Sequence, residues 1–113
     1  MNKVMLVGNV TKNPEIRTTK NGKSNARFTV AINKKEGADF IPCVAWERLA
    51  DIVERFIGKG SRVGVTGHLT SGSYEKDGKK VFTLDVTVEE LDLPPREKFE
   101  PQPDDGDGED WFS

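Results

Sequence analysis

Hydrophobic and polar residues follow strand-like patterns along most of the first 93 residues. A nearly continuous apolar run with β-branched residues opens the chain and predicts a buried strand. Further on, apolar and polar residues alternate, which is typical of half-buried strands. An Asp77-Gly78 pair between two such segments predicts a hairpin turn. The predicted strands cover residues 2–10, 26–33, 39–46, 62–69 and 81–88.

One segment has helical rather than strand periodicity. Apolar residues recur there at positions i, i+3, i+4, i+7 and i+8, namely Leu49, Ile52, Val53, Phe56 and Ile57. Gly58 and Gly60 end the predicted helix. Three strands, a helix and two more strands predict an all-β fold: a five-stranded OB-fold Greek-key barrel with one helix between strands 3 and 4. Such barrels bind oligonucleotides and oligosaccharides.

The third predicted strand is apolar on both faces. Ile41, Cys43 and Ala45 share one face, and the other holds Phe40, Pro42, Val44 and Trp46. Only one face can point into so small a barrel, so the second face is either an interface or a ligand surface. Trp46 as a core residue is the open alternative. Several other apolar residues are assigned to the core by their phase: Phe28, Phe56, Val63, Val65, Leu69 and Phe82.

Charge divides the chain into two parts. The 113 residues allow one small domain and exclude a multidomain enzyme. Residues 1–93 contain 15 Lys and Arg against 12 Asp and Glu, whereas residues 94–113 contain 2 against 7. The second part is also rich in proline, so we expect a folded domain over 1–93 and a disordered acidic tail over 94–113.

The composition leaves little room for cofactor or metal chemistry. One cysteine and one histidine are too few for a disulfide framework or a typical zinc cage, and no nucleophile has a recognisable base partner. A hydrolase or nuclease is therefore not supported, and we expect no enzyme activity, cofactor or metal. His68 is expected to be structural and Cys43 an inert buried residue. The opening apolar run is too short for a signal peptide or membrane span, so a cytoplasmic protein without membrane association is expected.

Several short motifs, in order and spacing, resemble the bacterial single-stranded DNA-binding protein family over about residues 1–91. They are Lys3–Val10, Asn13–Arg17, Asn21-Gly22, Leu49-Ala50, Lys59-Gly60-Ser61 and Val65–Leu69. The resemblance implies an OB-fold homotetramer that coats single-stranded DNA during replication, recombination and repair, associated with the nucleoid. The apolar surface around Val4 and Leu6 favours such self-association.

The resemblance also implies which residues bind DNA. Phe40, Trp46 and Tyr74 fall at base-stacking positions, although Tyr74 beside a turn is also compatible with cross-strand packing. A fourth stacking aromatic, usual between the second and third strands, is absent. Seven basic residues are candidate phosphate contacts, with a solvated surface charge as the alternative for each: Lys3, Arg17, Lys34, Lys35, Arg48, Lys59 and Lys79.

The acidic tail has a predicted role of its own. An acidic run alone favours a solubilising tail, but a pair of terminal aromatics indicates partner docking. The candidate docking residues are Asp104, Asp105, Asp107, Glu109, Asp110, Trp111 and Phe112, and the expected partners are replication and repair proteins. We also expect the tail to compete weakly with DNA for the barrel. The alternative to DNA binding is an OB-type interaction module whose apolar strand face contacts another protein.

Overall fold

The computed structural model describes residues 1–93. The predicted tail over 94–113, with all its candidate docking residues, lies outside the described residues. Within residues 1–93 the chain forms six strands and one helix. They are β1 (Val4–Val10), β2 (Glu15–Thr18), β3 (Ser24–Lys34), β4 (Gly37–Trp46), α1 (Arg48–Phe56), β5 (Arg62–Lys76) and β6 (Lys79–Asp92).

The strands close into a barrel. They are hydrogen-bonded in the order β1-β5-β6-β4-β3-β2, and an additional β1–β3 pairing closes a ring of five strands. All pairs are antiparallel except β4–β6, in which Cys43 pairs with Val86 and Val44 with Thr87. The short strand β2 pairs only with β3 and stays outside the ring. The predicted OB-type barrel is therefore confirmed, with α1 between the third and fourth strands of the ring.

Small and β-branched residues fill the barrel. Alternate residues of the strands point inward, and the largest fully buried side chains include Val10, Val30, Val65 and Val86. The helix α1 packs on this core through Ala50 and Val53. Cys43 is buried as predicted, and burial, with a smaller contribution from Asp85, raises the pKa of its thiol to about 12. It remains a thiol at physiological pH.

Two glycines allow neighbouring strands to approach closely, Gly8 at the β1–β3 closure of the barrel and Gly67 in the β5–β6 pairing. A Cβ at Gly8 would overlap the carbonyl oxygen of Ala31, and one at Gly67 would overlap that of Thr87. Gly67 also lies at a bulge in the β5–β6 pairing, where β6 contains one extra residue, Glu89. Any larger residue at either position would have to push two backbones apart.

Strands β5 and β6 continue past the barrel as a two-stranded projection, residues 69–84, which we call the hairpin arm. Its turn has positive φ at both central residues, 52° at Asp77 and 78° at Gly78, as in the turns preferred by tight hairpins. The prediction that Leu69 and Phe82 belong to the core is wrong, because both are exposed on the arm. Their alternation continues from the barrel, but no other part of residues 1–93 covers them.

Two further expectations about apolar residues are corrected. Phe28 is buried as predicted, whereas Phe56 is exposed at the end of α1. Val4 and Leu6, expected at a contact between copies, instead pack against the core. The opposite face of β1 is exposed, with Met5 77% and Val7 49% accessible. Strand β1 therefore has an exposed apolar surface, but Met5 and Val7 form it rather than Val4 and Leu6.

Candidate nucleic-acid interface

All three aromatic residues predicted to stack on bases lie at the surface. The exposed fraction is 63% for Phe40, 38% for Trp46 and 52% for Tyr74. Phe40 lies opposite Ala31 and Trp46 opposite Asn25 in the β3–β4 pairing. Neither is a core residue, because the alternate positions of β4 point into the barrel.

The same three residues share one side of the sheet. Cys43 and Val86 pair with each other and belong to the core, so the next pair, Val44 and Thr87, points to the outer side of the barrel, where Val44 is nonetheless buried. Alternate residues of β4 and β6 that are in phase with Val44 and Thr87 lie on that side. Phe40 and Trp46 are in phase with Val44, and Tyr74 pairs with Val81, which is in phase with Thr87. We call this outer surface of β4, β6 and the arm the aromatic face.

Local hydrogen bonds position the two ends of the aromatic face. The backbone N–H of Glu47 donates to the carbonyl of Ser24 at 2.8 Å, which extends the β3–β4 ladder one residue beyond Trp46. At the base of the arm, the Asn2 amide donates to the Leu69 carbonyl at 2.9 Å and accepts from the Leu69 N–H at 2.8 Å. The arm that holds Tyr74 is thus anchored to the start of the chain.

A charged pair lies near the middle of the aromatic face. Arg27 is opposite Val44 in the β3–β4 pairing, and its Nη1 lies 3.9 Å from Oδ2 of Asp85 on β6. Arg27 is not among the phosphate candidates predicted from the sequence. Its place among the polar residues that alternate with apolar ones along β3 could have indicated that it lies on the outer face. Arg27 is thus a basic group close to the stacking residues, with a carboxylate beside it.

Removing the charge of Asp85 is expected to strengthen DNA binding. The Asp85→Asn variant should bind oligothymidine about fivefold more tightly at low salt, because a unit charge near the surface contributes on the order of 1 kcal/mol. The gain should shrink as salt screens it. Fluorescence anisotropy of labelled oligothymidine measures both effects, and Asp51→Asn on α1 is the matched control. Unchanged or weaker binding by Asp85→Asn would show that the carboxylate does not face the phosphates.

The predicted phosphate contacts divide into two groups. Three of them form ion pairs: Lys3 with Glu89 at 2.7 Å, Lys34 with Asp39 at 2.8 Å and Arg17 with Glu15 at 3.5 Å. Within residues 1–93, the other four form no ion pair within 4 Å; these are Lys35, Arg48, Lys59 and Lys79. The second group can pair with phosphates without first losing a carboxylate partner.

The end of the arm concentrates positive charge beside Tyr74. Lys79 pairs directly with Lys76, and both are in phase with Tyr74 on the same face. Like charges at directly opposed positions destabilise a strand pair, but they form a suitable site for an anion. Sequence reasoning included Lys79 and missed Lys76, which the hairpin turn at 77–78 brings opposite it.

Lys3 lies in a different environment from the aromatic residues. Its ammonium donates to Oε1 of Glu89, and Oε2 of the same carboxylate lies 2.6 Å from Nδ1 of His68. Glu89 sits at the bulge between β5 and β6. The hydrogen bonds from Lys3 and then His68 hold the pKa of the Glu89 carboxyl below its ordinary value. These contacts favour a structural role for Lys3 and His68.

This cluster should make stability depend on pH. The pKa of the Glu89 carboxyl is lower in the folded than in the unfolded chain. The stability that the ionised carboxylate contributes is therefore complete above the unfolded pKa of about 4.3, and it is lost as pH falls through the folded pKa. At about pH 6 we expect a lower free energy of unfolding for Glu89→Gln than for the wild type. This gap in the free energy of unfolding should narrow towards about pH 3. Urea unfolding measures the gap, and Glu90→Gln is the control. A gap that stays constant with pH would contradict this assignment.

Within residues 1–93, no group of three or more His, Cys, Asp or Glu side chains is placed to hold a metal ion. Over the same residues, no helix is long and apolar enough to cross a membrane.

The sequence is similar to those of known proteins. The model of the single-strand binding protein family matches residues 1–94. A single-stranded DNA-binding protein of Clostridium perfringens is 44% identical over 98 residues, which cover 82% of this chain and 65% of that protein. Single-stranded DNA-binding protein A of Bacillus subtilis is 43% identical over 99 residues, which cover 80% of this chain and 58% of that protein. The chain thus spans less than two thirds of the length of these relatives.

Proposed function

Because the chain belongs to the single-strand binding protein family, we propose that it binds single-stranded DNA without sequence preference and protects it. The observation that supports this most directly is the aromatic face, on which Phe40, Trp46 and Tyr74 are exposed on one side of the barrel. Several exposed aromatics on one side of a domain are typical of a binding surface. The proposal includes no catalytic step.

Stacking explains why the binding tolerates any sequence. Every base has a flat π-face, and stacking on an aromatic side chain contributes about 1 to 3 kcal/mol per base. Phosphates then pair with basic residues around the face, of which Arg27, Lys76 and Lys79 are the best placed. Each neutralised phosphate adds about −0.7 to the slope of log affinity against log salt concentration.

We further propose that the protein is a homotetramer. The exposed side of β1 supports contact between copies, because Met5 and Val7 are large, apolar and adjacent on the same face. Burying such residues against a second copy removes apolar surface from water. Light scattering should therefore give a mass of about four chains for the wild type and a lower mass for a Met5→Glu, Val7→Glu variant.

The roles in replication, recombination and repair, with nucleoid association, complete the proposal. The acidic tail over 94–113 would recruit partner proteins through its aromatic tip, and its negative charge would compete with DNA for the basic residues of the barrel. Deleting residues 104–113 should then tighten DNA binding at low salt. Unchanged affinity would contradict competition by the tail.

Titration with oligothymidine tests the central proposal. Binding should quench Trp46 fluorescence strongly and increase the mass measured by light scattering. The Trp46→Phe variant should keep the affinity and lose most of the quenching; Trp111 in the tail remains as its one other tryptophan. A folded protein that neither quenches nor gains mass with oligothymidine would instead favour an OB-type protein interaction module.

A further inference from the structure

The hairpin arm has a second apolar side, opposite the one that holds Tyr74. Phe82 is 75% exposed there, and Leu84 and Leu69 continue the row towards the barrel. On the neighbouring strand, Ser73 pairs with Phe82 and Ser71 with Leu84. Because both partners are small, no large side chain from β5 covers the ring of Phe82.

A lysine lies beside the exposed ring. Nζ of Lys80 is 5.9 Å from the centroid of the Phe82 ring, within the range of a cation–π interaction. Glu75 pairs with Lys80 across the arm, yet within residues 1–93 no ion pair within 4 Å joins their side chains. The ammonium is therefore held near the ring by a weak contact, and its flexible side chain can turn to another anion.

This combination suits a nucleotide. A flat ring accepts a base, and an adjacent ammonium pairs with the phosphate of the same nucleotide. The serines opposite leave space above the ring and add hydroxyl groups at its side. A contact made only with an apolar protein surface would leave the Lys80 charge without a partner, which is costly once water is excluded.

We propose that Phe82 is a second base-stacking position on the arm, on the side opposite Tyr74. A single strand bound along the aromatic face would pass around the arm and stack another base on Phe82, with Lys80 on the phosphate. The arm is only two strands wide, so its two sides are close enough for one strand to reach both. This inference rests on the proposed function of single-stranded DNA binding.

A fluorescent reporter at position 82 tests the proposal directly. The full chain is prepared as Trp46→Phe and as Trp46→Phe, Phe82→Trp; both retain Trp111, so they differ only in the reporter. Saturation with oligothymidine should quench the double variant by clearly more than the single variant. Equal quenching, with binding verified for both by the anisotropy of labelled oligothymidine, would overturn the Phe82 proposal and leave the proposed function standing.

An affinity measurement supplies the second test. Phe82→Leu keeps an apolar side chain but removes the flat ring, so it should weaken oligothymidine binding about fivefold, near the lower limit for one stacked base. Phe56→Leu, at an exposed aromatic outside the arm, should leave the affinity unchanged. If Phe82→Leu instead lowers the mass of the protein without DNA and leaves the affinity unchanged, this side of the arm is a contact between copies and the proposal fails. If the wild type itself does not bind oligothymidine, the proposed function and this inference fail together.

Discussion

Replacing both Phe40 and Trp46 with alanine is expected to weaken oligothymidine binding by about a hundredfold. Each exposed ring would lose the stacking energy of about one base, roughly 1 to 3 kcal/mol, and the two losses add if they are independent. Because the rings lie outside the core, the fold should survive. Anisotropy of labelled oligothymidine at fixed salt measures the affinity, and circular dichroism verifies folding.

An aromatic-preserving variant is the matched control for this experiment. Phe40→Tyr, Trp46→Phe keeps two flat rings in the same places and should retain affinity within a few-fold. Loss of binding in this control would indicate a role other than stacking. A folded double-alanine variant that binds as tightly as the wild type would remove the basis of the proposed mechanism.

The largest expected effect on stability comes from Gly67. A Cβ there would overlap the Thr87 carbonyl at the bulge, so Gly67→Ala must separate β5 from β6. We expect a loss of about 3 kcal/mol or more, which corresponds to roughly 15 °C in the melting temperature of a domain of this size. Thermal unfolding followed by circular dichroism measures it.

A second glycine on the same strand provides the control. At Gly72 a Cβ would meet only the rotatable Thr83 hydroxyl at 3.2 Å, so Gly72→Ala should change stability by about 1 kcal/mol or less. Equal stabilities for the two variants would show that the close approach at Gly67 relaxes without cost.

The sequence predicted the ring of strands well because the signals there are local. Alternation of apolar residues, the helical spacing after Trp46 and the turn at 77–78 each depend on neighbours along the chain. The ends of elements were less accurate. The prediction ended the fourth strand of the ring at residue 69, whereas β5 extends to Lys76, because hydrogen bonding to β6 continues after apolar burial has stopped.

Part of the candidate site could also be predicted from local patterns. Phe40 and Trp46 occupy the face of their strand that a barrel leaves outside, so the pattern itself marked them as surface candidates, and the family resemblance supplied their role. Phe82 shows the limit of this reasoning. It alternates in phase with Val86 and Val88, which are buried, yet it lies on the arm beyond the barrel.

By itself the sequence determined the succession of strands along the chain, the one helix and the two alternating faces of each strand, because backbone geometry fixes these over a few residues. Only the tertiary structure decided where the barrel ends and the arm begins, and so which in-phase residues are exposed. It also decided which cations already have carboxylate partners, as Lys3 does with Glu89, 86 positions away. Burial and ion pairing depend on what lies across space, and local periodicity contains no information about that.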